Sequence, residues 1–385
     1  MVPVADTVGP VVDAGAPAQD GGDPVVDGGA TGVDGGSAGV DSGNQGVDSG
    51  SPGVDGSSLG PDAAASSGRR QLVDQYGTPI QLKGVSSQSL VWETSPFAES
   101  KPALQYMRDN WKLSVIRASM GTEQGEGYLS SPDVMMNKVE TIIHHAIDLG
   151  VYVIVDWHTE VAVNQQEASV AFFTEMAKKY GAYPNVIWEP YNEPAGPQNA
   201  RYTWLQIKPY HQAVVDAVRA VDPDNLMVLG TPNWSQFVDD AALDPVVGTN
   251  LLYTLHFYSC THGQWLRDRG DRAMAAGAAL FVTEFGATFS DGGTGGHGYV
   301  CETETNRYFD WMARNNVSGV SWKLDQCADA SCILGGSAGL DGPWTDDRLS
   351  SDTGGALYTG ALGNGVSGTA IQGGHGQFVV NWMRQ

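Results

Sequence analysis

The sequence predicts an α/β protein: a (β/α)8 TIM barrel preceded by a disordered Gly/Asp-rich N-terminal linker. Three observations carry that prediction. Apolar runs of strand length alternate with amphipathic stretches of helix length from residue 70 to residue 385. Eight such units in roughly 300 residues match the size and order of a closed parallel barrel. Polar side chains also collect at the carboxyl ends of successive apolar runs, the face where such barrels keep their chemistry.

Composition separates the linker from the barrel. Residues 1–68 hold ten Asp among many Gly, with no Lys, Arg or aromatic residue. Such a chain cannot bury enough apolar surface to offset its ordering entropy. Aspartates recur every seventh position from Asp6 to Asp62, but no apolar a/d seam accompanies them, which excludes a coiled coil. A calcium-binding repeat is the sharper alternative. Its spacing matches no known loop motif, so the tract reads as a solvated, self-repelling tether. The division falls at Arg69-Arg70, giving a tether over 1–69 and a folded domain over 70–385.

Formal net charge is −23, and beyond the tract 34 acidic residues still face 21 basic ones. That balance argues against nucleic acid or an anionic membrane as partner and suits a neutral polymer. No stretch is long and apolar enough to span a bilayer. The first residues lack the charged and apolar regions of a signal peptide. A long polar tether before a folded domain nonetheless suggests export, with a signal, lipid or cell-surface anchor upstream. The expected protein is a secreted or surface-tethered monomer. The four cysteines allow three pairings. Cys327 with Cys332 would close a small loop and Cys260 with Cys301 would join two rim loops, while free buried thiols remain an alternative.

In chain order, Gln71 to Gln81 reads as a β-hairpin turning near Tyr76-Gly77, placed to plug the barrel floor. Strands are expected at Ile80–Ser87, Leu113–Met120, Val151–His158, Asn185–Trp188, Asn225–Thr231, Leu251–Tyr258, Leu280–Phe285 and Val317–Leu324. Helical spacing marks Ser131–Leu149, Gln165–Tyr180, Tyr202–Val221 and Glu302–Asn315, with a last helix near Gln377–Arg384. Ser131-Pro132 starts the first of these helices and Gly150 stops it. The Gly-, Ser- and Asp-rich segment from Cys327 to Gly374 reads as an elaborate loop. A doubly wound open sheet is the runner-up, but no Gly-x-Gly-x-x-Gly follows the first strand.

The strand ends then supply the chemistry. Arg117 closes on strand two, His158 on strand three, His256 and Tyr258 on strand six, and Trp322 on strand eight. Strand four leads into Asn192-Glu193-Pro194, and strand seven delivers Glu284. Singly, Arg117 reads as a structural ion pair, either histidine as a bonded rim residue, and Trp322 as core. Together, two carboxyls on one rim with an arginine, an asparagine and a flat aromatic suit cleavage of a glycosidic bond. One carboxyl must stay ionised as nucleophile, and the other must keep a raised pKa to protonate the leaving oxygen.

The motifs Val115-Ile-Arg-Ala-Ser-Met120, Val155-Asp-Trp-His158, Asn192-Glu-Pro194, Gly230-Thr-Pro-Asn-Trp-Ser-Gln236, His256-Phe-Tyr258 and Thr283-Glu-Phe-Gly286 resemble glycoside hydrolase family 5. Among its retaining β-glycanases the chain looks most like bacterial endo-β-1,4-glucanases. By that resemblance Glu193 is the acid/base and Glu284 the nucleophile. Arg117, His158, Asn192, His256, Tyr258 and Trp322 fall on the remaining site positions, and Trp234 matches a cleft aromatic. The resemblance implies a catalytic domain over 70–385 that needs no metal or organic cofactor and takes a β-glucan as substrate. The two carboxyls should lie about 5–5.5 Å apart.

Three departures mark one side of the expected cleft: Gln88, Ser89 and Val91 after strand one, Gly121 after strand two, and Asp325-Gln326-Cys327 after strand eight. They bear on which glucan is preferred. A mannanase or glucomannanase with the same chemistry is the nearer rival. A non-catalytic carbohydrate-binding protein and a surface-anchored structural module are remoter ones.

Overall fold

The structure, a computed structural model, describes residues 70–385 except Gln75, 93–95, 124, 197–200, 292–297, 328–329 and 336–343. The tether and its aspartate repeat lie outside the described residues.

Eight parallel strands close into a ring: β1 Lys83–Ser87, β2 Val115–Gly121, β3 Tyr152–His158, β4 Val186–Glu189, β5 Met227–Leu229, β6 Leu251–Thr254, β7 Leu280–Gly286 and β8 Ser318–Leu324. β8 pairs with both β7 and β1, so the barrel has no open edge. All eight strands overlap the stretches expected from sequence. β6 is interrupted at Leu255-His256 and resumes at Phe257–Tyr258 on the edge of β7.

The helices are α1 Lys101–Tyr106, α2 Pro132–Leu149, α3 Gln166–Tyr180, α4 Trp204–Arg219, α5 Val238–Leu243, α6 Gln264–Ala275, α7 Glu302–Asn315 and α8 Gly376–Met383. α2 ends where Gly150 adopts φ +68°, a left-handed cap that glycine takes without strain. Their apolar faces cover the outside of the strands in one large cluster containing Trp111, Trp157, Phe173, Trp188 and Trp382.

Inside the barrel, alternate residues point to the axis. Leu82, Val115, Ile154, Ile187, Val228, Leu252, Phe281 and Val320 fill the lower half. Leu72 joins them from the N-terminal hairpin, which is bridged at Val73 and Pro79 and tied down by Asn316 Nδ2 donating to the Leu72 and Ile80 carbonyls. The hairpin therefore plugs the floor as expected. Gly84 is required there, because a β-carbon would meet the Val115 carbonyl oxygen at 1.7 Å.

Beyond β8, two stretches that their composition marks as loop form strands. Strands Asp352–Leu357 and Ile371–Gly373 pair antiparallel, and the second also pairs with Tyr299–Val300. This small sheet covers an apolar cluster of Cys260, Phe289, Cys301 and Ala370. Its strands come from segments far apart in sequence, and so a local reading sees only a loop. Disulfides join Cys260 to Cys301 and Cys327 to Cys332, leaving no free cysteine. Among the described residues no helix is long and apolar enough to cross a membrane.

Candidate active site

Arg117, an inward residue of β2, is wholly buried at the upper end of the barrel. Its Nε and Nη2 donate to the two oxygens of Glu189 at 2.7 and 3.2 Å, a bidentate clamp. Nη2 also lies 2.9 Å from Asp156 and donates to Asn192 Oδ1 at 2.7 Å, while Nη1 donates to Glu284 Oε2 at 3.1 Å. One guanidinium thus holds carboxylates from three strands. Burial alone would lower its pKa, but the three acids around it more than offset that and raise it. With Arg117 occupying its oxygen, Asn192 keeps its amide N–H groups to offer to a ligand.

Glu284 reaches the axis through a bulge. Phe281 and Val282 register with Ser318 and Gly319, but the next paired residues are Phe285 and Ser321. Thr283 and Glu284 therefore stand opposite the single residue Val320. The extra residue turns both side chains toward the axis where simple alternation would expose only one. Glu284 accepts from Arg117 on Oε2 and from the Tyr258 hydroxyl on Oε1 at 2.7 Å. Burial, reinforced by the Glu284 charge, pushes the Tyr258 phenol well up, so it remains a donor. Two donors, one of them cationic, thus hold both oxygens of the Glu284 carboxyl.

Glu193 has the opposite surroundings. It follows β4, and its Oε1 lies 2.9 Å from His256 Nδ1. Burial, strengthened by the Glu160 charge, pushes the Glu193 carboxyl up to about 8. Burial also pulls His256 down to about 4, so the imidazole facing Glu193 is neutral near pH 7. A carboxylate oxygen of Glu193, a ring nitrogen of His256 and a carboxylate oxygen of Glu284 all lie within 4.8 Å of one another. The two carboxyls thus share one cleft in opposite surroundings, Glu284 beside a cation and a phenol and Glu193 beside a neutral imidazole.

Two hollows, of about 320 and 430 Å³, meet at Glu160 and Glu193. The first is lined by Ser89, Val91, Trp92, Gly121, Glu123, His158 and Asn192. The second is lined by Asn233, Trp234, Gln236, His256, Tyr258 and His262. Ser89, Val91 and Gly121, from two of the three departures seen in sequence, all face the first. Trp322 is partly exposed, and its ring lies parallel to that of His158 with centroids 5.3 Å apart. His158 Nδ1 is 2.8 Å from Asp156.

Trp234 sits on a strained turn, since Asn233, Trp234 and Ser235 all have φ between 55° and 58°. Non-glycine residues hold that conformation only where their surroundings fix it. Here the Ser235 hydroxyl donates to the Asn192 carbonyl at 2.7 Å and the His256 N–H donates to the Ser235 carbonyl at 2.8 Å. The turn that presents Trp234 is therefore bolted to the segments carrying Asn192 and His256.

The structure brings together every residue singled out from sequence: Arg117, His158, Asn192, Glu193, Trp234, His256, Tyr258, Glu284 and Trp322. Sequence reasoning passed over Asp156, Glu189, Glu160 and Thr283. Glu189 lies one residue beyond the expected strand Asn185–Trp188, yet it closes β4 and is wholly buried. A second acid four residues before Glu193, on a strand of inward alternation, was the available signal.

A family profile described as Cellulase (glycosyl hydrolase family 5) matches residues 73–328. The chain is 42% identical over 285 residues to an endoglucanase of Clostridium saccharobutylicum, covering 73% of this chain and 61% of that one. To endoglucanase Z of Dickeya dadantii it is 42% identical over 248 residues, covering 63% and 56%. The catalytic domain of Thermobifida fusca endoglucanase Cel5A, in complex with cellotetraose, superposes with a TM-score of 0.69 at 26% identity, covering 83% of this chain and 96% of that one. The chain spans about three-fifths of the length of the curated relatives it matches. Barrel, carboxylate pair and relatives agree, and the chain belongs to glycosyl hydrolase family 5.

Proposed function

We propose that residues 70–385 are a retaining endo-β-1,4-glucanase working by double displacement. Glu284 attacks the anomeric carbon while Glu193 protonates the departing oxygen, giving a glycosyl-enzyme. Glu193, now a carboxylate, takes a proton from water as that water releases the sugar from Glu284. The observation that carries this reading is the opposed pair: Glu284 held by Arg117 and Tyr258, Glu193 raised beside a neutral His256. Asn192 is aimed to bond a sugar hydroxyl beside the reacting carbon, and Trp234, Trp322 and His158 offer flat faces and polar edges for pyranose rings.

Hollows on both sides of Glu193 support cleavage within a chain rather than at its end. Cellotetraose in a similar structure and endoglucanase relatives support a β-glucan as substrate. Two disulfides support an exported protein, because such bonds persist in oxidising compartments. The test is reducing-sugar release from carboxymethylcellulose, mixed-linkage glucan, glucomannan and mannan, beside Glu284→Gln. Turnover of the glucans that disappears in the variant supports the proposal. Turnover of mannan alone keeps the chemistry and overturns the substrate.

A further inference from the structure

Thr283 precedes the proposed nucleophile and faces the axis two residues after the inward Phe281. Its hydroxyl donates to Glu189 Oε1 at 2.6 Å, and Glu189 is the carboxylate that Arg117 clamps on both oxygens. The same oxygen lies 2.9 Å from His256 Nε2 and 2.5 Å from the Thr254 hydroxyl. A hydroxyl has one proton to give. With that proton committed to Glu189, the Thr283 oxygen can only accept, so Nε2 of His256 must carry a hydrogen. A neutral imidazole has one N–H, which leaves Nδ1 as a bare lone pair facing Glu193 Oε1 at 2.9 Å. Two lone pairs do not make that contact; the proton between them belongs to Glu193.

We propose that Thr283 is a positioning residue that locks His256 in the Nε2–H tautomer and thereby keeps the proton on Glu193. The inference deepens, and rests on, the assignment of Glu193 as acid/base. It explains how one carboxyl serves both steps. Before bond cleavage the lone pair of His256 holds the Glu193 proton. Afterwards it denies the new carboxylate a donor, so Glu193 stays basic enough to deprotonate water. Charged and titratable groups facing Glu193 are His256 and Tyr258 after β6, Glu160 after β3, Asp156 on β3, Arg117 on β2, Glu189 on β4 and Glu284 on β7. Among the described residues, His256 is the one hydrogen-bond partner of the Glu193 carboxyl whose polarity can reverse.

Removing the Thr283 hydroxyl frees the imidazole to move its proton to Nδ1 and donate to the Glu193 carboxylate. That favours ionised Glu193 and lowers its pKa. The first test is 15N NMR on the histidine-labelled full chain, with the His256 signals assigned by their loss in His256→Asn. The expected result is Nε2–H in the wild type and a shift toward Nδ1–H in Thr283→Val. A wild-type Nδ1–H form overturns the proposal, even if Thr283→Val fails to fold.

The second test is the pH profile of kcat/KM on a glucan oligosaccharide. In Thr283→Val the alkaline limb moves to lower pH by about one unit, and Thr283→Ser, which keeps the hydroxyl, restores it. An unmoved limb in folded Thr283→Val overturns the relay. Glu193→Gln is run on the same oligosaccharide and on a dinitrophenyl β-cellobioside, whose leaving group needs no acid. If it loses kcat/KM on the first and keeps it on the second, Glu193 is the acid. Equal loss on both overturns that assignment, while the NMR result still decides the tautomer.

Discussion

Arg117 Nη1 donates to Glu284 Oε2 at 3.1 Å while the other edge of the same guanidinium clamps Glu189. The proposed nucleophile is therefore oriented by a cation that is itself held rigid from the neighbouring strands.

Glu284→Gln keeps the size of the side chain and one acceptor oxygen but loses the proposed nucleophile. Turnover of β-glucan should fall by about a thousandfold or more with the melting temperature close to wild type. Steady-state kinetics beside a thermal melt check this.

Arg117→Met should fail differently. It leaves Asp156, Glu189 and Glu284 facing one another in a buried site, and removing one partner of such a group costs about 3–5 kcal/mol. Denaturant unfolding at pH 7 should show that loss. The loss should shrink on acidification, as the stranded carboxyls take up protons.

The pH dependence follows from Glu193, pushed up to about 8 chiefly by burial. In the proposed first step Glu193 gives up that proton, so kcat/KM is expected to fall as pH rises through about 8. Stability has the same sign. A carboxyl with a raised folded-state pKa binds more protons folded than unfolded, so stability declines as pH rises from the ordinary carboxylate range to about 8. Glu193→Gln should abolish that part of the decline and melt a few degrees higher than wild type at pH 9. Melting curves across pH measure it.

Much of the fold was legible because each barrel strand is a short apolar run closed by a polar residue or turn, and because α2 carries its stop signal at Gly150. The candidate site residues stand out in the sequence at strand ends or in the turns just beyond them. Thr283 does not, since the alternation in Leu280–Gly286 points either it or Glu284 inward, and only the bulge against Val320 admits both. Trp234 was placed in the cleft, but its left-handed turn depends on bonds to Asn192 and His256 that no local sequence encodes. The small sheet beyond β8 is held by pairing with Tyr299–Val300 and by the Cys260–Cys301 bridge, both long-range.

Trp234→Ala should weaken binding of long oligosaccharides by about three- to tenfold, the scale of one aromatic contact, with little effect on folding. Calorimetry with cellotetraose on a Glu284→Gln background reads the binding directly.

Reduction of the disulfides should lower the melting temperature. The Cys260–Cys301 bridge spans 41 residues and the Cys327–Cys332 bridge only 5. Loop-closure entropy assigns the longer bridge the larger share, about 3–4 kcal/mol. Cys260→Ala/Cys301→Ala should therefore lose more stability than Cys327→Ala/Cys332→Ala.

The most direct measurement is covalent trapping with a 2-deoxy-2-fluoro-β-cellobioside bearing a good leaving group, followed by peptide mass spectrometry. A fluoro-cellobiosyl group on the peptide containing Glu284, absent from Glu284→Gln, is the predicted result. Rapid turnover of β-glucan with no adduct, and products that emerge with inverted anomeric configuration by NMR, would contradict the double displacement and the roles of both glutamates.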